Sequence, residues 1–465
     1  MTGGVAVTPP ANKPTVVRHF PHWWRWSQAT LTQPCDIASL VVIRILAGLI
    51  LAWEITRHFQ GNDLWDDYVR PLHHFTYWPW TFVEPWPEPW IYMHALVVGL
   101  CGLAVAAGCL YRLTAPLACL GFGLLFLWDQ AQYLNHHYLL WLILLLLVLL
   151  PAHWNLSLDA HWGLCPRHAT VPRWCVYLLR CQVACVYVYG GLAKLNTDWL
   201  AGWPLRDWVA KRDNYVLVGP LFTQAWFAIG MAWGGLLYDL LAVPLLSWPR
   251  TRFIGILWSL AFHGLNKLLF SIGIFPVMSL ALSTIFFAPD WPRRWLRWNQ
   301  SHHRPLCPVC PAPVAGLVFC FLLWQFLMPL RHHLYPGPVA WTEEGHKYSW
   351  RMKLRDKDGE ILFWIVDRRS GEQVAADLDT WLTSRQIQTM TGRPHLILQT
   401  AHILRDHGPF PSDHTAVYVD SCVSLNQRPC QPLVDGNTDL AQTRATLRPA
   451  PWLVPLDPAL HPGTR

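Results

Sequence analysis

Charge is what this chain has least of. Only 14% of its 465 residues are Asp, Glu, Lys or Arg, against roughly 25% in an ordinary soluble domain. That shortage argues against the string of soluble domains that the length alone would allow. The net charge of +7 is spread thinly and no basic stripe is present, so nucleic acid is not an expected partner. The thirteen cysteines build no zinc framework, because Cys307-Pro-Val-Cys310 has no second pair. Cys101, Cys109, Cys119, Cys175, Cys181, Cys185 and Cys320 fall in apolar runs, where thiols act as small hydrophobes. No metal is expected. Whether Cys422 and Cys430 pair is open. No cleavable signal peptide is expected ahead of the first apolar run: the first 39 residues are polar, with Lys13, Arg18 and Arg25.

Apolar helix and tryptophan are abundant instead. Nine apolar segments have helical length, at 40–56, 91–111, 113–128, 138–152, 175–193, 222–247, 252–265, 270–288 and 313–330. Several fall short of the ~20 residues that a straight membrane span needs. Many of the 30 tryptophans flank these runs, as interfacial anchors do. With nine crossings and the N-terminus inside, the inner pieces hold twelve Lys plus Arg and three acids, and the outer pieces seven and nine. The bias favours that orientation. The expected architecture is a polytopic α-helical membrane domain of about nine transmembrane helices followed by a soluble β-rich extracytoplasmic domain. Residues 1–39 form a cytoplasmic segment, 40–330 the membrane domain and 331–465 the outer domain, with strands expected at Tyr348–Leu354, Glu360–Val366 and Ala416–Val423.

Four constellations carry chemistry or its bland equivalent. Lys194 ends an apolar run after Gly190 and Gly191. A lysine at membrane depth is costly as an ammonium, and a neutral amine in an apolar wall is a usable base. The alternative is that Lys194 snorkels to water. The two glycines allow close approach of another helix or of a flat ligand. Asn135-His136-His137 opens another apolar run, and His136 either faces a cavity or anchors the helix end. Phe262-His263-Gly264-Leu265-Asn266-Lys267 suggests a broken helix that lines a site, or a polar hairpin between two spans. Tyr348 to Lys357 alternates like a strand with basic residues on one face, which suits carboxylates or plain solvent.

Read in order, these runs resemble the vitamin K-dependent γ-glutamyl carboxylase family and its bacterial relatives, the horizontally transferred transmembrane domain (HTTM) proteins. The resemblance rests on Asp36-Ile-Ala-Ser39, Arg44-Ile-Leu-Ala-Gly48, Asn135-His136, the run Pro151 to Asp159, and Gly191-Leu-Ala-Lys194 with Asp198-Trp199. It continues through Phe262-His263 with Asn266, the runs Leu269 to Gly273 and Pro289 to Arg293, Tyr348-Ser349-Trp350, and the run Tyr418 to Asn426. It implies an integral enzyme of the cell (inner) membrane that couples oxidation of reduced vitamin K (phylloquinol or menaquinol) by O2 with addition of CO2 to protein glutamate. A lysine at the place of Lys194 is then the catalytic base, and a histidine at the place of His136 assists carboxylation. Asn135, Gly191, His263, Asn266, Trp350 and Arg355 are the expected cavity residues. The partners implied are a glutamate-containing protein or peptide and the quinone pool in the lipid. His137, about 100° round the helix from His136, is expected to tolerate substitution.

The sequence departs from the animal enzymes in three places. Ala193 replaces a second lysine, Arg355 and Lys357 stand where a histidine and an arginine align, and 57–90 lacks the cysteine of a luminal pair. Two rival readings remain: a protein of the same fold that only epoxidises quinol, and a carrier of lipids or small molecules with no chemistry.

Overall fold

The computed structural model of the chain describes residues 30–215, 219–270, 272–296, 298 and 312–464. Lys13, Arg18, Arg25, Ser271, Cys307 and Cys310 lie outside the described residues. Each of the nine expected segments carries a helix: α1 Ala38–Gln60, α2 Trp90–Ala107, α3 Tyr111–Trp128, α4 Asn135–Leu149, α5 Arg173–Ala193, α6 Ala225–Ser247, α7 Arg252–Leu269, α8 Phe275–Ser283 and α9 Ala312–Leu327. Among the described residues, six helical runs are long and apolar enough to cross a membrane: α1, α2, α3, α5, α6 and Pro313–Leu334, which contains most of α9. Helix α4 and the run Phe275–Phe286 are shorter, and α7 carries Ser259, His263, Asn266 and Lys267. The protein is therefore a membrane protein, while the count of nine crossings is not confirmed.

The runs quoted above have structural work at the end of the bundle away from the C-terminal region. Gly48 and Gly102 let α1 and α2 touch, since a Cβ on Gly48 would sit 2.4 Å from the Gly102 carbonyl oxygen. Arg44 is fully buried. Its two Nη atoms donate to the carbonyls of Ala106, Ala152, Asn155 and Leu156 at 2.6–3.2 Å, so backbone carbonyls hold a cation at depth. Arg293 Nε donates to both Asp36 oxygens at 2.8 and 2.9 Å. The short strands β1 Pro34–Asp36 and β2 Thr170–Pro172 pair antiparallel beside this contact.

The C-terminal region holds a three-stranded antiparallel sheet, β3 Lys357–Asp367, β4 Gln373–Ala375 and β5 Thr415–Leu425, in the order β4-β3-β5. Helices α10 Ser384–Thr391 and α11 Pro394–His407 pack on it. Phe363 and Ile365 of β3 and Val417 and Val419 of β5 alternate inward against Leu396, Ile397, Ala401 and Leu404. Cys422 and Cys430 form a disulfide. Two of the three expected strands fall within β3 and β5. Tyr348–Leu354 is not a strand: Tyr348, Trp350 and Lys353 adopt positive φ of 61°, 56° and 50°, a region closed to an extended ladder. Arg331 holds this turn by donating to Ser349 Oγ at 3.0 Å and to the Lys347 carbonyl.

The region docks on loops joining α1 to α2, α3 to α4 and α5 to α6. Arg385 bonds both Asp67 oxygens at 2.9 Å, Gln386 donates to Asp129 at 2.9 Å, and Arg428 clamps Asp198 at 2.8 Å. Those loops are the pieces assigned to the outer side on charge, so they and the C-terminal region share one face.

Candidate active site

A cavity of about 710 Å³ lies where the bundle meets the C-terminal region. Its floor is apolar and aromatic, with Leu139, Val183, Val186, Tyr187, Phe262 and Phe275. Three polar groups interrupt it. At the first, Lys194 ends α5 and makes an ion pair with Asp239 of α6. Both side chains are 7% exposed. The ammonium also lies 5.4 Å over the Trp199 ring, whose indole N–H is spent on the Ala232 carbonyl. Gly190 and Gly191 make the pair possible. A Cβ on Gly191 would stand 2.7 Å from Leu240 Cδ2, and one on Gly190 would stand 3.1 Å from Asp239 Oδ2. The glycines thus serve helix approach. Lys194 is thus not a lone amine in an apolar wall, because Asp239 stands against it as a counter-charge.

The second group lies on α1 and α4. Glu54 is almost fully buried, and its two oxygens meet His137 Nε2 at 2.8 Å and Arg57 Nη1 at 2.6 Å. His136 stacks edge-on against His137 with ring centroids 4.7 Å apart. It has no hydrogen-bond partner among the described residues and lines the cavity. His137, expected to tolerate substitution, is as buried as His136 and pairs with the Glu54 carboxylate. Ligand atoms of Glu54, His136 and His137 lie within 4.8 Å of one another, a spacing that could hold a metal ion. Both Glu54 oxygens are already engaged, however, and Arg57 adds positive charge where a cation would sit. A hydrogen-bond network fits these atoms better than a metal centre.

His263 forms the third group. Its Nε2 lies 3.2 Å from the Tyr238 hydroxyl and 3.3 Å from the Tyr187 hydroxyl. Tyr238 donates on to Ser259 at 3.0 Å. Helix α7 runs unbroken through His263 to Leu269, so the expected break at 263–267 is displaced to the segment before α8, where Pro276 takes a first-turn position.

The roof is basic. Glu343, buried, takes the guanidinium of Arg355 on both oxygens, with Lys357 Nζ 3.5 Å away. Burial pushes the Glu343 carboxyl up, but Arg355, His346 and Lys357 outweigh it and hold it below the usual carboxylate range. Lys347 Nζ lies 2.7 Å from His395 Nε2. Burial, then the Arg393 charge, keep the Lys347 amine well below the lysine range. Burial, then Lys347 and Arg393, do the same to His395.

Residues 32–291 match the HTTM domain family, more than half of the chain, and residues 311–459 match the lumenal domain of vitamin K-dependent gamma-carboxylase. The chain belongs to the HTTM family. It is a carboxylase-like HTTM protein, and vitamin K dependence comes with that family in a broad sense. No solved structure matches it.

In this HTTM protein Asn135, His136, Lys194, His263, Asn266 and Arg355 line one cavity. Gly191 and Trp350 do not. Gly191 faces Leu240, and Trp350 is fully buried with its ring stacked on Tyr138 at 5.2 Å. Asp239, Glu54, Arg57, Lys347, Arg351 and Arg393 join the wall without having been singled out. Asp239 and Glu54 carried a readable signal, since each is the only acid in its apolar segment and an intramembrane carboxylate marks function. An apolar floor for the face of a ring and the Lys194–Asp239 pair at one edge are features that would fit a quinol.

Proposed function

We propose that the protein is a vitamin K-dependent γ-glutamyl carboxylase-type enzyme. The observation that carries the reading is the convergence of Lys194–Asp239 and His136 on one cavity beneath a lumenal-domain roof. When bound, reduced vitamin K supplies, by reaction with O2, a base strong enough for a carbon acid. Lys194 Nζ would hold the quinol oxygen, and Asp239 Oδ2, paired with it, would take up the proton that the quinol gives away. The aromatic floor excludes water that would quench the base. His136 has no hydrogen-bond partner among the described residues and is free to donate to a carboxylate on which charge develops. Histidine is far too weak a base to do the proton abstraction itself. The N-terminus is placed on the cytoplasmic side of the cell membrane, and the domain from about residue 331 onward outside it.

One observation favours quinol epoxidation without carboxylation. Arg355, the residue expected to receive a glutamyl carboxylate, is already engaged by Glu343. The roof retains other cations, so carboxylation remains the reading adopted. The test is incorporation of labelled CO2 into a glutamyl peptide in the presence of reduced vitamin K and O2. Epoxide formation with no label in the peptide would leave the epoxidase reading standing in its place.

A further inference from the structure

Five basic side chains, Lys347, Arg351, Arg355, Lys357 and Arg393, surround the roof of the cavity, and Glu343 is the carboxylate set among them. Arg355 and Lys357 are committed to Glu343. Arg351 and Arg393 are not committed: both line the cavity, and among the described residues neither guanidinium makes a hydrogen bond or an ion pair. Half-buried guanidiniums without acceptors are costly unless something else satisfies their donors. The planar fork of arginine matches a carboxylate with two parallel hydrogen bonds.

We infer that Arg351 and Arg393 form the seat of the substrate's glutamyl carboxylate, and that Glu343 is a fixed internal carboxylate that holds Arg355 and Lys357 aside. The inference rests on the carboxylase reading and names the groups that bind its substrate. Position supports it. Met352, next to Arg351, reaches the helix that carries Lys194, its Cε standing 3.8 Å from where a Gly190 Cβ would be. The turn that carries Arg351 therefore packs against the Lys194 end of the cavity. Charge supports it as well. When a γ-proton passes to the base, its electron pair delocalises into the adjacent carboxylate, which becomes a dianion. Two unpaired guanidiniums, preorganised and poorly hydrated, stabilise that second charge more than the first. A glutamine side chain has neither charge and is rejected on the same ground.

The experiment uses the full-length protein in nanodiscs and two fluorescent peptides that differ only in Glu against Gln. Wild type should bind the glutamyl peptide more tightly. Arg351→Gln and Arg393→Gln should each weaken glutamyl binding about 10- to 100-fold, the range for losing one charged hydrogen-bond donor group, and leave glutaminyl binding in place. Arg351→Lys and Arg393→Lys, which keep the charge and serve as folding controls, should lose less. The seat is refuted if wild type does not distinguish the peptides, or if discrimination survives both Gln variants and falls only in Arg355→Gln. If discrimination depends on Arg351 and Arg393 but wild type fixes no CO2, the seat stands and the carboxylase reading fails. If CO2 is fixed and neither arginine matters, the seat fails alone.

Discussion

Asp239→Asn keeps the shape of the side chain and removes the charge that balances Lys194. Both partners are 7% exposed, so the loss acts on a desolvated pair. Breaking such a pair costs about 3–5 kcal/mol, because one charge is left uncompensated. This pair borders a cavity, and the lower end, about 3 kcal/mol, is the expected value. Lys194→Met should be destabilised by a similar amount through the stranded Asp239. The double variant Lys194→Met/Asp239→Leu should recover most of the loss, since apolar replacement of a buried pair is often neutral. The assay is thermal unfolding of the four proteins in one detergent, followed by tryptophan fluorescence. Single variants that melt with wild type, or a double variant that melts below both, would refute the claim that the pair is a desolvated unit.

Other perturbations probe separate contacts. Gly191→Ala places a methyl 2.7 Å from Leu240 Cδ2 and should cost about 1–3 kcal/mol by overpacking, read as a lower melting temperature. Trp350→Ala removes the ring stacked on Tyr138 and should cost about 3–5 kcal/mol, again visible on melting. His136→Ala should let quinol epoxide form while carboxylated peptide falls sharply, whereas His137→Ala should also destabilise the fold by leaving one buried Glu54 oxygen without its partner; paired product assays with melting curves separate the two. Glu343→Gln should destabilise at neutral pH. The folded carboxyl is held low, so its contribution is present above the unfolded value of about 4.3 and is lost as pH falls below it; the gap between variant and wild type should close in acid.

The fold was largely legible because a membrane enforces a strong pattern. All nine apolar segments became helices, and a segment that crosses lipid must satisfy its own backbone in this way. Length was harder to read: α4 and α8 are short and α7 is amphipathic, so hydropathy marked them as helices without establishing that they cross. Lys194 and His136 were readable as polar residues at the ends of apolar runs. Asp239 and Glu54 were readable too, but pairing is a property of helix contacts, and nothing local to Gly190-Gly191 said which helix would come close. The Tyr348–Leu354 turn was misread because alternation of Tyr, Trp and Met mimics a strand, while positive φ at three residues comes from tertiary anchors such as Arg331. The commitment of Arg355 to Glu343 spans twelve residues and a turn, and no periodicity encodes it.

The central claim is that Lys194 and its cavity link quinol oxidation to glutamate carboxylation. The direct measurement is label from CO2 entering a glutamyl peptide, with reduced vitamin K and O2 supplied to purified wild type and to Lys194→Ala in parallel. The account predicts incorporation by wild type that requires the quinol, and loss by several orders of magnitude in the folded variant. Quinol-independent labelling, or undiminished labelling by Lys194→Ala, would contradict it.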